Sequence, residues 1–419
     1  MTREDDEPAR ATADAVARRS YGKLVAFLAA RLRDVAAAED ALSEAFAAAL
    51  ATWPRGGVPA NPEAWLLAVA RRKAIDAARR RRSGEGAVAP LLLIAEELAQ
   101  DSASATEIPD DRLALMFACA HPAIEAGIRA PLILQTILGF DAATIASSFL
   151  VAPSTMGQRL VRAKGKIRDS GIPFRVPGRE ELAERLDAVL AAIYAAFAEG
   201  WSDPSGTEIR RRNLAEEGIF LGRLVASLLP DAPEALGLLA LMLHAEARRG
   251  ARRDGEGNYV PLADQDPAAW NGALIDEAEA LLARAGATGA VGRYQLEAAL
   301  QSAHVVRRKA GGADWNAIAL LYDALFALTA SPVVAINRAV AIAETRGAEA
   351  GLAALAALGD DARLAEYEPY WAARAELLSR SGAVDAADAA YERAIGLEPD
   401  SAVRRFLQQR RAGVRSRCS

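Results

Sequence analysis

The stretch Pro62-Glu63-Ala64-Trp65-Leu66-Leu67-Ala68-Val69-Ala70-Arg71-Arg72-Lys73-Ala74-Ile75-Asp76-Ala77-Ala78-Arg79-Arg80-Arg81-Arg82 reads as one helix that changes character along its length. Asn61 precedes it, and Pro62 stands in its first turn, where a missing N–H costs nothing. Trp65, Leu66 and Val69 form an apolar stripe, whereas Arg71 to Arg82 hold seven Lys/Arg against one Asp. About 70 residues further on, a second helical segment from Arg159 to Arg168 holds five basic residues and no acid. Two basic helical modules on a chain of formal charge −5 point to DNA touched at two places.

The rest of the composition sets bounds. With 419 residues, 52% of them hydrophobic, the chain has material for roughly two to four domains with sizeable cores. Cys119 and Cys418 are its only cysteines, which excludes a disulfide framework and a cysteine-based zinc site and fits a reducing cytoplasm. The acidic, polar start from Met1 to Arg10 is no targeting sequence, and apolar runs such as Ala235 to Leu243 stop short of the ~18 residues a membrane span needs. Ala, Leu, Arg and Glu dominate and no run keeps a period of two, so an all-α fold is expected throughout.

Residues 12–82 read as a first helical domain. Tyr21, Leu24, Val25, Leu28 and Leu32 form one stripe; Leu42, Ala45, Phe46, Ala49, Leu50 and Trp53 form another, with Asp34 as cap between them and Trp53-Pro54-Arg55-Gly56-Gly57 as a break. Residues 83–111 form an acidic linker with Gly84, Gly86, Pro90 and Pro109, and an apolar patch from Leu91 to Ile94. A second module covers residues 112–170, and Gly171-Ile172-Pro173 marks its exit. From residue 181 to 419 the chain reads as helix pairs forming a short α-solenoid. The last pair matches the tetratricopeptide pattern: Trp371, Ala375 and Leu378, then Gly382, then Ala387, Tyr391 and Ala394, closed by Pro399. Weaker copies are phased around Ala339 with Leu355 and Ala299 with Pro332.

Within the second module, Ala142-Ala143-Thr144-Ile145-Ala146 makes a short helix, Val151-Ala152-Pro153 a turn, and Ser154-Thr155 a cap for the helix Met156 to Arg168. In such a helix-turn-helix the start of the second helix meets base edges in the major groove, while flanking cations meet phosphates. Ser154, Thr155, Gln158, Arg159 and Arg162 are the candidates for bases; Lys164, Lys166 and Arg168 are those for phosphate. The alternative is an ordinary helical hairpin with a solvated basic face.

The order Ala38-Glu39-Asp40-Ala41-Leu42-Ser43-Glu44-Ala45-Phe46, then Pro62 to Arg71, then Ala74-Ile75-Asp76 and Arg79-Arg80, closely resembles region 2 of bacterial extracytoplasmic-function sigma factors. Thr155-Met156-Gly157-Gln158-Arg159-Leu160-Val161-Arg162-Ala163-Lys164 looks like their region 4.2, and the two signatures cover about the first 170 residues in the right order. The helical extension resembles a subgroup with a C-terminal domain fused to the sigma portion. The resemblance implies a cytoplasmic, non-enzymatic transcription initiation factor without metal or cofactor. Its partners are core RNA polymerase, through the β′ clamp and β subunits, and promoter DNA. Asp40, Ser43 and Glu44 match the face that binds the clamp. Trp65, Arg71, Arg72, Lys73, Asp76, Arg79 and Arg80 lie on the helix that opens the −10 element and holds unpaired bases, where cations serve the backbone and stacking faces the bases. The helix-turn-helix, with Ser154, Thr155, Gln158, Arg159, Arg162, Lys164 and Lys166, reads the −35 duplex. The acidic linker threads toward the polymerase channel, and the extension takes a protein or small-molecule regulator. Three positions depart from the family pattern: Ser43 replaces Gln, Arg72 replaces Asn and Thr144 replaces Glu.

Other readings stay open at this level. Trp65 is a core residue or a stacking platform, and Asp40 with Glu44 forms a clamp face or a solvated i,i+4 face. The chain could be a free-standing helix-turn-helix regulator, or could house an enzyme or sensor pocket lined by Trp201, Asp203, Trp270, Trp315 and Tyr322. His121, His244 and His304 are scattered; Asp254 to Tyr259 resembles a calcium loop only faintly, with Tyr259 where Gly is needed and Gln265 where a bidentate Glu is expected.

Overall fold

The helix Asp6–Leu32 (α1) buries Leu24, Val25, Ala26, Phe27, Leu28 and Ala29 in succession. A surface helix buries one stripe; a helix apolar and buried all round is enclosed by others. The stripe expected here is therefore only part of the contact, with Tyr21 and Leu32 half-buried at its edges. The computed structural model describes residues 6–82, 110–149, 151–201, 209–305, 313–359 and 364–416. Among these the fold is all-α, apart from an isolated bridge between Arg253 and Tyr259. Two compact units divide the chain, residues 1–200 with 209–218 and residues 201–208 with 219–419.

In the first unit α1 meets Val35–Gly56 (α2) and Pro62–Arg82 (α3), and also Arg112–Cys119 (α4) and Ala126–Leu138 (α5). Asp34 accepts the Ala37 N–H and Asn61 the Ala64 N–H, so both expected starts carry side-chain caps. The break after Trp53 comes later than expected: α2 runs through Pro54 to Gly56 and stops at Gly57, whose φ of +81° suits glycine. Ala142–Ser148 (α6), Pro153–Asp169 (α7), Arg179–Trp201 (α8) and the first part of Ile209–Leu228 (α9) complete this unit. Most of the expected linker lies outside the described residues. Its last two acids are engaged, Asp111 with Arg31 at 3.2 Å and Asp110 with the buried Arg112, which also pairs with Glu217.

The second unit stacks Pro233–Ala247 (α10), Gly272–Gly286 (α11), Arg293–Val305 (α12), Trp315–Thr329 (α13), Pro332–Arg346 (α14), Ala348–Ala356 (α15), Glu368–Arg380 (α16), Val384–Leu397 (α17) and Ser401–Arg415 (α18). From α13 onward each helix packs chiefly on its sequence neighbours, the connectivity of a solenoid, whereas α12 packs chiefly on α10. Ala375, Ala387, Tyr391 and Ala394 share one core with Leu407 and Val414 of α18, and Gly382 turns the chain between α16 and α17 at φ +82°. Tyr391 donates its hydroxyl to Glu376 at 2.9 Å, which satisfies the polar end of a buried ring.

Two expectations test this packing. A Cβ on Gly22 would collide with the main-chain carbonyl of Ile137. Gly22→Ala should destabilise the first unit by about 1–3 kcal/mol despite the better helix propensity of alanine. Calorimetry that found the variant more stable would contradict the close approach of α1 and α5.

Glu368 is pushed up to about 7, first by burial and then by Glu398. Its folded value lies above the ordinary carboxyl value, so the folded state retains a proton that the unfolded state has lost. Its effect on stability therefore worsens as pH rises from about 4.5 to 7 and levels off above that. Glu368→Gln should flatten this part of the profile and raise the melting temperature of the second unit at pH 8 relative to wild type.

Candidate nucleic-acid interface

On α2 the buried side is Val35, Ala38, Ala41, Leu42, Ala45, Ala49 and Trp53. Asp40, Ser43 and Glu44 face outward together. Leu50, expected in the apolar stripe, is 47% exposed, because it lies a ~100° step round the helix from Ala49. Glu44 stands 3.1 Å from Lys73 of α3. Both side chains are well solvated, so the pair contributes only about 0–1 kcal/mol and leaves each free to exchange partners.

Trp65 of α3 is half-buried and meets the buried Trp53 edge-on with ring centroids 5.4 Å apart. This settles the ring in place without enclosing it. Arg72, Asp76 and Arg80 follow it on one outward face, and Arg80 donates to the Asp76 carbonyl at 3.4 Å. Arg71 and Lys73 are half-buried; the side chain of Arg79 lies outside the description.

The α7 helix begins three residues earlier than expected, at Pro153 instead of Met156. Pro153 takes its first position and Ala152 the cap, with no side-chain cap bond, so Ser154 and Thr155 sit exposed in the first turn instead of capping it. Met156, Leu160, Ala163 and Ile167 anchor the inner side. Ser154, Thr155, Gln158, Arg162 and Lys166 are exposed and Arg159 half-buried. Arg162 donates to the Gln158 carbonyl at 3.3 Å. Lys164 differs from its neighbours: its ammonium is 2.5 Å from Glu39 of α2, and the two side chains are only 11% and 15% exposed. Burial pushes the Glu39 carboxyl up, and Lys164 counters that shift. Arg168 lies 3.8 Å from Asp34 and 2.9 Å from Asp169.

Sequence reasoning passed over Val161, which is 70% exposed among Gln158, Arg162 and the first-turn hydroxyls. Its signal was available, since Val161 falls off the three- and four-residue spacing of Met156, Leu160, Ala163 and Ile167. The pairing of Glu39 with Lys164 had no local signal.

The aromatic residues of the alternative pocket lie on separate cores. Trp270 belongs to a core with Ala247, Ala251 and Ile275, whereas Trp315 and Tyr322 pack on another with Ile318 and Leu325. Trp201 lies under the Arg252 guanidinium at 3.9 Å, and Asp203 lies outside the described residues. Asp254 accepts from the backbone N–H groups of Glu256 and Asn258, closing a turn on itself. Among the described residues no group of three or more His, Cys, Asp or Glu is placed to hold a metal, and no helix is long and apolar enough to cross a membrane.

Residues 16–84, which span most of α1 and all of α2 and α3, match the sigma-70 region 2 family. The chain is a sigma-70 family factor. Region 2 gives this factor its role in binding RNA polymerase and initiating transcription at promoter DNA. Residues 185–286 match a family of unknown function (DUF6596). The sigma-70 family factor also belongs with an uncharacterized protein of Rhizobium meliloti (strain 1021), to which it is 39% identical over 382 residues, 90% of this chain and 89% of that protein. No solved structure matches it significantly.

Proposed function

We propose that this factor is of the extracytoplasmic-function type, acting in the cytoplasm on two promoter elements. Asp40, Ser43 and Glu44 bind the β′ clamp of core polymerase; Trp65, Arg71, Arg72, Lys73, Asp76, Arg79 and Arg80 engage the opened −10 strand; α6 and α7 form a helix-turn-helix for the −35 duplex. The observation that carries the duplex reading is the two-sided construction of α7. Four apolar side chains fix its inner side, and Ser154, Thr155, Gln158 and Arg162 are left facing solvent from a rigid helix. The second unit, with tetratricopeptide-like pairs, acts as a fused regulatory domain. The test is run-off transcription with core polymerase on promoters selected by the holoenzyme from a random library.

The clamp assignment rests on an acidic face with no structural duty beyond one solvated pair. Asp40→Lys with Glu44→Lys should abolish co-purification with core polymerase and change the melting temperature little, since exposed substitutions cost about 0.5 kcal/mol or less. Undiminished co-purification would refute the assignment.

Val161 places an exposed methyl pair amid polar readers, and the C5-methyl of thymine is the apolar feature of a major-groove edge. Replacing thymine by uracil at one −35 position should weaken wild-type holoenzyme by about 0.8 kcal/mol, roughly fourfold, the worth of one buried methylene-sized group. Val161→Ala should lose this sensitivity while Arg162→Ala keeps it. A uracil effect of equal size in all three proteins would remove Val161 from the reading face.

A further inference from the structure

The segment Arg248-Arg249-Gly250-Ala251-Arg252-Arg253 repeats a pair of arginines at four-residue spacing, across the end of α10 and the 3-10 turn Arg249–Arg252 that follows it. The two members of each pair fare differently. Arg249 holds the Glu246 carboxylate at 2.8 Å and Arg253 pairs with Asp400. Among the described residues, neither Arg248 nor Arg252 makes an ion pair with a carboxylate; both donate to neutral oxygens.

Arg248 is the more enclosed, only 9% exposed. Its Nε donates to the His244 carbonyl at 3.3 Å, and a terminal nitrogen donates to the side-chain oxygen of Gln301 on α12. Arg252 donates to the Trp201 carbonyl at 3.2 Å and lies over the Trp201 ring at 3.9 Å. Trp201 and both arginines belong to the second unit. Burial, and then the charge of Arg252, pull the Arg248 guanidinium down to about 10, which leaves it protonated at neutral pH. Arg252 is lowered too, by burial first, with Tyr259 and Asp400 opposing. His244, one turn before Arg248, is fully enclosed; its Nε2 lies 3.4 Å from Glu279, yet among the described residues neither ring nitrogen makes a hydrogen bond. Burial and then Arg248 lower it to about 4, so it is neutral beside them.

A guanidinium does not shed its proton as a buried lysine does, and a charge kept from water without a partner is costly. Two uncompensated positive charges call for two negative ones. A phosphate monoester carries about −1.5 to −2 at neutral pH and offers three oxygens to the forked N–H groups of arginine, whereas a carboxylate carries a single charge. A Cβ on Gly250, in the turn between the arginines, would meet nothing within 4 Å, so the approach beside them is open to the rest of a ligand. We infer that Arg248 and Arg252 form a binding site in the second unit for the phosphate group of a small phosphate monoester, with Gln301 holding Arg248 in place. Both arginines lie within residues 185–286, the stretch that matches the family of unknown function.

The test is isothermal titration calorimetry on the full chain, with ribose 5-phosphate, inorganic phosphate and acetate as probes at constant ionic strength. Binding is read on the protein alone, so the outcome does not depend on polymerase or promoter. Ribose 5-phosphate should bind saturably, at least as tightly as inorganic phosphate and at least tenfold more tightly than acetate. Arg248→Gln and Arg252→Gln should each weaken it at least tenfold, whereas Arg249→Gln, at the position paired with Glu246, should leave it within twofold. The DNA-binding cations proposed above also attract phosphate, so binding that survives both substitutions lies elsewhere and overturns the site. Acetate binding as tightly as ribose 5-phosphate, or inorganic phosphate binding tenfold more tightly than the ester, would overturn the ligand class. A second measurement needs no substitution. Phenylglyoxal modification of Arg252 in the native chain, followed by mass spectrometry, should slow at least fivefold in saturating ribose 5-phosphate and stay unchanged in chloride of equal ionic strength. Equal rates with and without ribose 5-phosphate would also overturn the site.

Discussion

The enclosure of α1 governs the first unit. A helix buried on every side from Leu24 to Ala29 has no solvent face to spare, so whatever covers it becomes part of the same core. Here α2 and α3 supply some of the cover and α4 and α5 the rest. Gly22 shows how closely they are fitted, because a single methyl group would meet backbone that cannot rotate away. The consequence is that the helices of the region 2 match and those that follow residue 110 share one hydrophobic core.

Charge is distributed by the same logic. The whole chain is slightly acidic, yet that balance hides two populations of cations. One is paired with carboxylates of the same chain: Arg112 with Asp110 and Glu217, Lys164 with Glu39, and Arg411 and Arg415 with Asp388, whose carboxyl they hold well below its ordinary range. The other, including Arg72, Arg162 and Lys166, points into solvent from α3 and α7. Only the second population is ready for a phosphate backbone, where each contact releases a counterion and adds to the salt dependence of binding. Net charge alone would have concealed this.

What the sequence made legible was local. The Asp34 and Asn61 caps act on N–H groups three residues away, and the inner side of α7 repeats at helical spacing, so both could be read without knowing the fold. Two local readings slipped: α7 starts at Pro153, three residues before the expected Met156, and Leu50 turns out of the stripe that holds Ala49 and Trp53. Contacts between distant segments were beyond such reading. Glu39 and Lys164 are 125 positions apart, and each looks like an ordinary surface charge until the helices meet. The aromatic residues gathered into a hypothetical pocket failed for a related reason, since a stack of helix pairs gives each layer its own core and sends Trp270 and Tyr322 to different ones.

Arg112 shows the same economy at the other end of the first unit. Its guanidinium pairs with Asp110, at the end of the acidic segment before α4, and with Glu217 on α9, while its own side chain is only 8% exposed. A cation held so far from water is stable only while its carboxylates stay in reach, and removing one partner of such a pair costs about 3–5 kcal/mol. Residues more than a hundred positions apart are therefore fixed to one point of the fold by charge, as α1 fixes its neighbours by apolar contact.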